Sequence, residues 1–166
     1  MNTFKYIALS LFLCGCNATG PLFTEKNKPD EGKALIYIYR PAAFTASVRR
    51  VKITINNKEV IQLKNQGFTN VELNPGSYII KQNFNYLLGD PPFLKKERVF
   101  SLNVNSNETH FVGFFSDSDV DGMSAISTGS GAMTSANITF RYGFGLVEEP
   151  IALQHLKKCR YQPNTF

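Results

Sequence analysis

The residues best placed to do chemistry sit in one polar stretch, "FFSDSDVDGMSAISTGSGAM", Phe114 to Met133. Asp117, Asp119 and Asp121 alternate there, and Gly122 follows the third. Alternate aspartates ahead of a glycine are how a helix–loop–helix calcium site offers oxygens at positions 1, 3 and 5 and turns sharply at position 6. Such a site closes with a bidentate Glu at position 12. Here position 12 is Thr128, no acid follows before Glu148, and the flank reads as strand. That class of site is excluded. Two readings stay open: a looser Ca2+ site built on Asp117, Asp119 and Asp121 with backbone carbonyls, or a polar turn after a strand. The turn is the simpler one, so no metal is assigned. The Ser/Gly run behind it cannot pack a core and is expected to form a mobile loop.

Catalytic groups are sparse elsewhere. His110 and His155 are the only histidines, the first in a strand and expected at the core edge, the second in a helix and expected at the surface. Zinc would need further nitrogen or sulfur ligands, and Cys159 stands at no recognisable ligand spacing. No Gly-x-Ser-x-Gly elbow occurs. Glu97 and Glu108 give no carboxylate pair that can be told from the aspartates. An enzyme is not expected.

The elements that position these residues are mostly strands. "KALIYIYRP", Lys33 to Pro41, is a β-branched and aromatic run of strand length. "VKITINNKEVIQL" alternates Val51, Ile53 and Ile55, breaks at Asn56-Asn57, and resumes at Val60; asparagine tolerates positive φ, so a hairpin is expected. Pro75-Gly76 repeats the device between Gly67 and Phe84, and Asn105-Ser106-Asn107 separates two more strands. "NITFRYGFGLV" gives another, with Phe140, Tyr142 and Phe144 on one side. Six to eight short strands argue for a mainly β fold, a single antiparallel sandwich. One helix closes it, Glu148 to Arg160, with acids and Pro150 first and bases last. Ala152, Leu156 and Cys159 make its apolar stripe, which turns Cys159 inward.

At the other end, "MNTFKYIALSLFLCGCNATG" places Lys5 before an apolar run, Tyr6 to Leu13, too short to span a bilayer. Leu13-Cys14-Gly15-Cys16 resembles a bacterial lipoprotein signal. That resemblance implies removal of residues 1–15 and a thioether-linked diacylglycerol plus an acyl amide (palmitate-type chains) on Cys16. Cys14 lacks the small residue before it that cleavage needs. More than one chain gives stable anchoring, and Asn17 in place of Asp implies sorting to the outer membrane. Residues 16–33, rich in Gly, Pro, Asn and charge, read as a flexible tether ahead of a domain at 34–166.

Residues 1–15 hold one base, Lys5, and no acid, so the balance of +5 becomes +4 in the mature chain. The excess is scattered through "RRVK" (Arg49 to Lys52), "KKER" (Lys95 to Arg98) and "KKCR" (Lys157 to Arg160), all expected to be solvated. None has the aromatic interleaving of a nucleic-acid surface, and no nucleic-acid partner is expected. With Cys14 removed and Cys16 lipidated, Cys159 has no partner in the chain for a disulfide.

Ile38-Tyr39-Arg40-Pro41, Val51 to Lys58 and Pro75-Gly76-Ser77-Tyr78 together resemble a family of bacterial lipoproteins known only as a domain of unknown function, akin to PEGA-type β-sandwich repeats. The similarity runs from Gly32 to Arg160 and is densest before Tyr86; Asn74 stands where a PEGA turn has proline. It implies fold and compartment and brings no catalytic residues. The expectation is a periplasm-facing, lipid-anchored, non-catalytic module binding another envelope protein through a sheet edge or the loop 116–136. The alternative is a small-ligand or Ca2+ receptor domain.

Overall fold

The computed structural model describes residues 17–43, 47–85, 97–116, 134–135, 138–139 and 142–166. Strand β1 (Ala34–Arg40) is buried along its whole length. An alternating strand wets one face, so burial of both needs cover on both sides. Ala34, Ile36 and Ile38 point into the core between two sheets. Leu35, Tyr37 and Tyr39 point the other way, into a second cluster with Ala152, Leu156 and Cys159.

The remaining strands are β2 (Arg50–Ile55), β3 (Lys58–Leu63), β4 (Gly67–Leu73), β5 (Gly76–Asn85), β6 (Arg98–Val104), β7 (Thr109–Ser116), β8 (Thr134–Ser135), β9 (Ile138–Thr139), β10 (Tyr142–Leu146) and β11 (Arg160–Tyr161), with helix α1 (Glu149–Leu156) before the last. One sheet has the order β10-β7-β1-β4-β11 and the other β3-β2-β5-β6, with β8 and β9 a separate pair. The protein is a β-sandwich with one short helix, as its strand spacing implies. Most pairs are antiparallel, but β1 lies parallel to β7 and β11 parallel to β4.

The turn signals divide by what they connect. Asn56 and Asn57 take φ of 48° and 66° and join β2 to β3 in a true hairpin. Pro75-Gly76 and Asn105–Asn107 are turns too, yet each carries the chain from one sheet to the other. The run 137–147 forms β9 and β10 rather than one strand, and Phe144 joins the inter-sheet core. The helix is shorter than its 148–160 sequence pattern. After Leu156 the chain turns, and Arg160 N–H donates to Gln66 O at 2.9 Å, starting β11.

Residues 17–33 follow the surface of the sandwich instead of hanging free as a tether. Asn17 bridges to Asn65 and Leu22 to Arg160. Phe23 N–H donates to Cys159 O at 3.1 Å, and Tyr161 N–H to Pro21 O at 2.7 Å. Phe23 itself is buried, edge-on to Tyr37 and Phe68. Lys26 forms an ion pair with Glu149. This strap covers the outer face of β1 beside α1, which is why β1 can be apolar on both faces. Where the strap crosses β11, a Cβ on Gly20 would lie 2.2 Å from the Tyr161 carbonyl oxygen. Backbone must move to admit it, so Gly20→Ala is expected to cost about 2 kcal/mol, as overpacking does. Urea titration of the full chain measures it.

Candidate functional site

The registers gather many strand ends at one pole of the sandwich. Arg40, the last residue of β1, stands beside Gly67, the first of β4. Arg50 starts β2 opposite Asn85 at the end of β5. Ser116 ends β7 opposite Tyr142 at the start of β10, and Arg160 lies beside Gly67. The Asn56-Asn57 turn and the N-terminus of α1 lie at the opposite pole.

Inside the first pole the core changes character from aliphatic to polar. Arg40 continues the inward row of Ile36 and Ile38 and is fully buried. Its Nη1 donates to Arg49 O at 2.7 Å, and its guanidinium carbon sits 5.5 Å from the centre of the Phe114 ring. Across the sandwich Arg98 Nη1 donates to Gln82 Oε1 at 3.1 Å, and both residues are buried. A guanidinium held dry keeps its charge. Neither guanidinium is an acid–base group. Arg40 is thus a structural arginine of the first strand. Arg98, read as a solvated base of "KKER", is instead a core residue, because it extends the inward row of Phe100, Leu102 and Val104 on β6.

His110 and His155 lie apart. His110 Nε2 is 2.9 Å from Glu108 Oε2 at the opposite pole. Hydrogen bonds from the Asn105 side chain and backbone, with His110 beside it, lower the Glu108 carboxyl to about 2. A lowered carboxylate stabilises the fold above its unfolded value near 4.5 and loses that effect as pH falls through the folded value. The melting temperature of Glu108→Gln is expected below wild type at pH 6, with the two converging between pH 4.5 and pH 2.

His155 is half-buried, not a fully exposed residue of the helix. Its ring lies 5.3 Å from Phe115 and 5.9 Å from Tyr39, and Tyr39 Oη is 3.3 Å from its Nδ1. Burial, and secondarily Lys158, lowers its pKa. It sits one turn before Cys159 and so shares the covered side of α1 with Ala152.

Cys159 lies inward, as the helical stripe implies, fully buried with Sγ 3.6 Å from Arg40 O. Burial pushes its thiol up to about 12. Reaction needs the thiolate, so native protein at pH 8 is expected to resist a maleimide or disulfide reagent. Denaturant should accelerate labelling by at least about a hundredfold.

Cys16, Asp117, Asp119 and Asp121 lie outside the described residues. Among the described residues no group of three His, Cys, Asp or Glu could hold a metal ion, and no helix is long and apolar enough to cross a membrane.

Two features had no sequence signal. Gln82 reads as an ordinary polar residue of β5, and only its register with Arg98 makes it a partner. The strap has one large apolar anchor, Phe23, with the small Ala18 also buried, too little for a periodic pattern.

A family model described as a protein of unknown function, DUF2846, matches residues 30–130. No curated protein and no solved structure matches the chain.

Proposed function

That match spans more than half of the 166 residues, so the chain belongs to the DUF2846 family of proteins of unknown function, and from that premise we propose a lipid-anchored, non-catalytic envelope module that binds another envelope protein by an exposed sheet edge. The anchor is the diacylglyceryl group on Cys16, after removal of residues 1–15, and the compartment is the periplasmic side of the outer membrane. Leu13-Cys14-Gly15-Cys16 supports the anchor.

The edge carries the binding reading. Among the described residues, strand β6 closes its sheet on one side and pairs only with β5. The opposite edge, β3, is covered, since Thr165 N–H donates to Val60 O at 2.9 Å. A seven-residue strand with one free side offers a row of backbone donors and acceptors to an extended segment of a partner. On the outer face beside it, Ile79 and Val99 are 47% and 44% exposed. They would give such a segment two apolar contacts. The histidines and Cys159 each serve a local packing or hydrogen-bonding role, which agrees with a non-catalytic module.

A photoactivatable amino acid at Ser101 or Asn103, both exposed on β6, tests this in intact cells. A discrete adduct from these positions and none from Asn57 is expected. Adducts at Asn57 alone would sink the edge as the binding surface. Cys16→Ser is expected to move the protein from the membrane fraction to the soluble periplasm.

A further inference from the structure

The strap changes what a lipid on Cys16 would do. Asn17 is held at the turn after β3: Asn65 Nδ2 donates to Asn17 Oδ1 at 3.0 Å, and Ala18 N–H donates to Asn65 O at 3.0 Å. One residue spans only about 3.8 Å. An acyl-bearing Cys16 is therefore rooted directly at this pole, with no leash to let the domain tumble.

The same pole is basic. Arg49, Arg50, Lys64, Lys157, Lys158 and Arg160 gather around it, with Glu97 the one acid among the described residues there. Three contacts fix the gathering. Gln66 Nε2 donates to Lys158 O at 2.7 Å, Arg160 Nη1 to Gly20 O at 3.1 Å, and Ala43 N–H to Asn65 Oδ1 at 3.0 Å. At the opposite pole Asp30, Glu59, Glu72, Glu108, Glu148 and Glu149 balance or outweigh the lysines. Val48 adds an apolar tip, 73% exposed, next to the Arg49 carbonyl that Arg40 holds.

We propose that this pole, through Val48, Lys64, Lys158 and Arg160, seats directly on anionic phospholipid headgroups and stands the sandwich upright, with the Asn56-Asn57 turn farthest from the bilayer. The orientation rests on the lipid anchor proposed above; the headgroup surface does not. Each base near an anionic surface is worth about fivefold in partitioning, and a short anchor converts that weak preference into a fixed pose. Upright, strand β6 runs away from the membrane.

The full chain, purified from membranes, decides the anchor by its intact mass. The same protein is then reconstituted with a fluorophore on Val48→Cys or Asn57→Cys, in phosphatidylethanolamine–phosphatidylglycerol vesicles carrying a headgroup quencher. Quenching at position 48 is expected to exceed that at 57 by about fivefold or more. Equal quenching in lipidated protein overturns the pose while leaving the anchor intact. If Cys16 carries no lipid, the surface is read on Cys16→Ser by cosedimentation. Binding to phosphatidylglycerol vesicles that 0.5 M NaCl abolishes keeps it, whereas no binding, or equal binding to phosphatidylcholine, removes it. Lys64→Glu/Lys157→Glu/Lys158→Glu, with an unchanged melting curve as its control, is expected to weaken that binding by about tenfold or more.

Discussion

Phe23→Ala is expected to destabilise the full chain by about 3 kcal/mol, although Phe23 lies in a segment whose composition reads as a tether. The ring is buried between Tyr37 and Phe68, with centroids at 5.8 and 5.4 Å in edge-to-face geometry. Its removal forfeits the buried ring area and two aromatic pairs, and opens a cavity over β1. For a domain of this size that corresponds to a melting temperature lower by roughly 6–12 °C. The loss should also be local. Without Phe23 the strap keeps hydrogen bonds, ion pairs such as Lys26–Glu149 and the small buried Ala18, so trypsin should cut after Lys26 well below the global transition. Phe23→Leu should recover more than half of the loss, and Thr24→Ala, at an exposed position, should cost under about 0.5 kcal/mol. A melting temperature for Phe23→Ala within 1 °C of wild type would mean that the strap does not pack.

How much of this architecture can be read from residues alone depends on the range of the interaction that sets each part. β1 is legible because its seven residues are all β-branched, aromatic or otherwise strand-compatible, and the Asn56-Asn57 hairpin because positive φ is a local demand that asparagine meets. Pro75-Gly76 and Asn105–Asn107 are legible as turns and illegible as changes of sheet. A turn's chemistry is local, whereas the sheet that receives the next strand is decided by distant pairings such as β1 with β7. Arg98 shows the same limit at the level of one side chain. In sequence it closes a run of charge, and only the register of β6 on β5 sets it against Gln82 inside the sandwich. His155 is misread because it lies beside the stripe of Ala152, Leu156 and Cys159 and not within it, while the aromatic rings that flank it come from β1 and β7. Of the site as anticipated, Cys16 and the three aspartates lie outside the described residues. The basic pole is invisible in the sequence, since its members come from three separate segments that only the sandwich brings together.

Arg40 joins that pole to the core. Arg40→Ala is expected to cost about 3–4 kcal/mol, and Arg40→Lys to recover less than half of it. The side chain is wholly buried at the end of the inward row of β1, its Nη1 on Arg49 O and its plane near Phe114. Truncation leaves a half-buried carbonyl that has lost its donor, which costs about 1 kcal/mol, removes a partly desolvated cation–π contact worth about 1–2 kcal/mol, and opens a cavity where the long stem packed. Lysine keeps the charge but has one donor point instead of a planar fork, and its ammonium is harder to desolvate. It cannot reach Arg49 O and face Phe114 at once. If bare positive charge were what this position requires, Arg40→Lys would stay within about 0.5 kcal/mol of wild type in urea titration, and that result would refute the geometric account. The local consequence is as specific as the global one. Because Arg40 holds the Arg49 carbonyl, its loss frees the segment that carries Val48, so amides at residues 47–50 should exchange faster in Arg40→Lys than amides in β4, even at temperatures where the variant is fully folded.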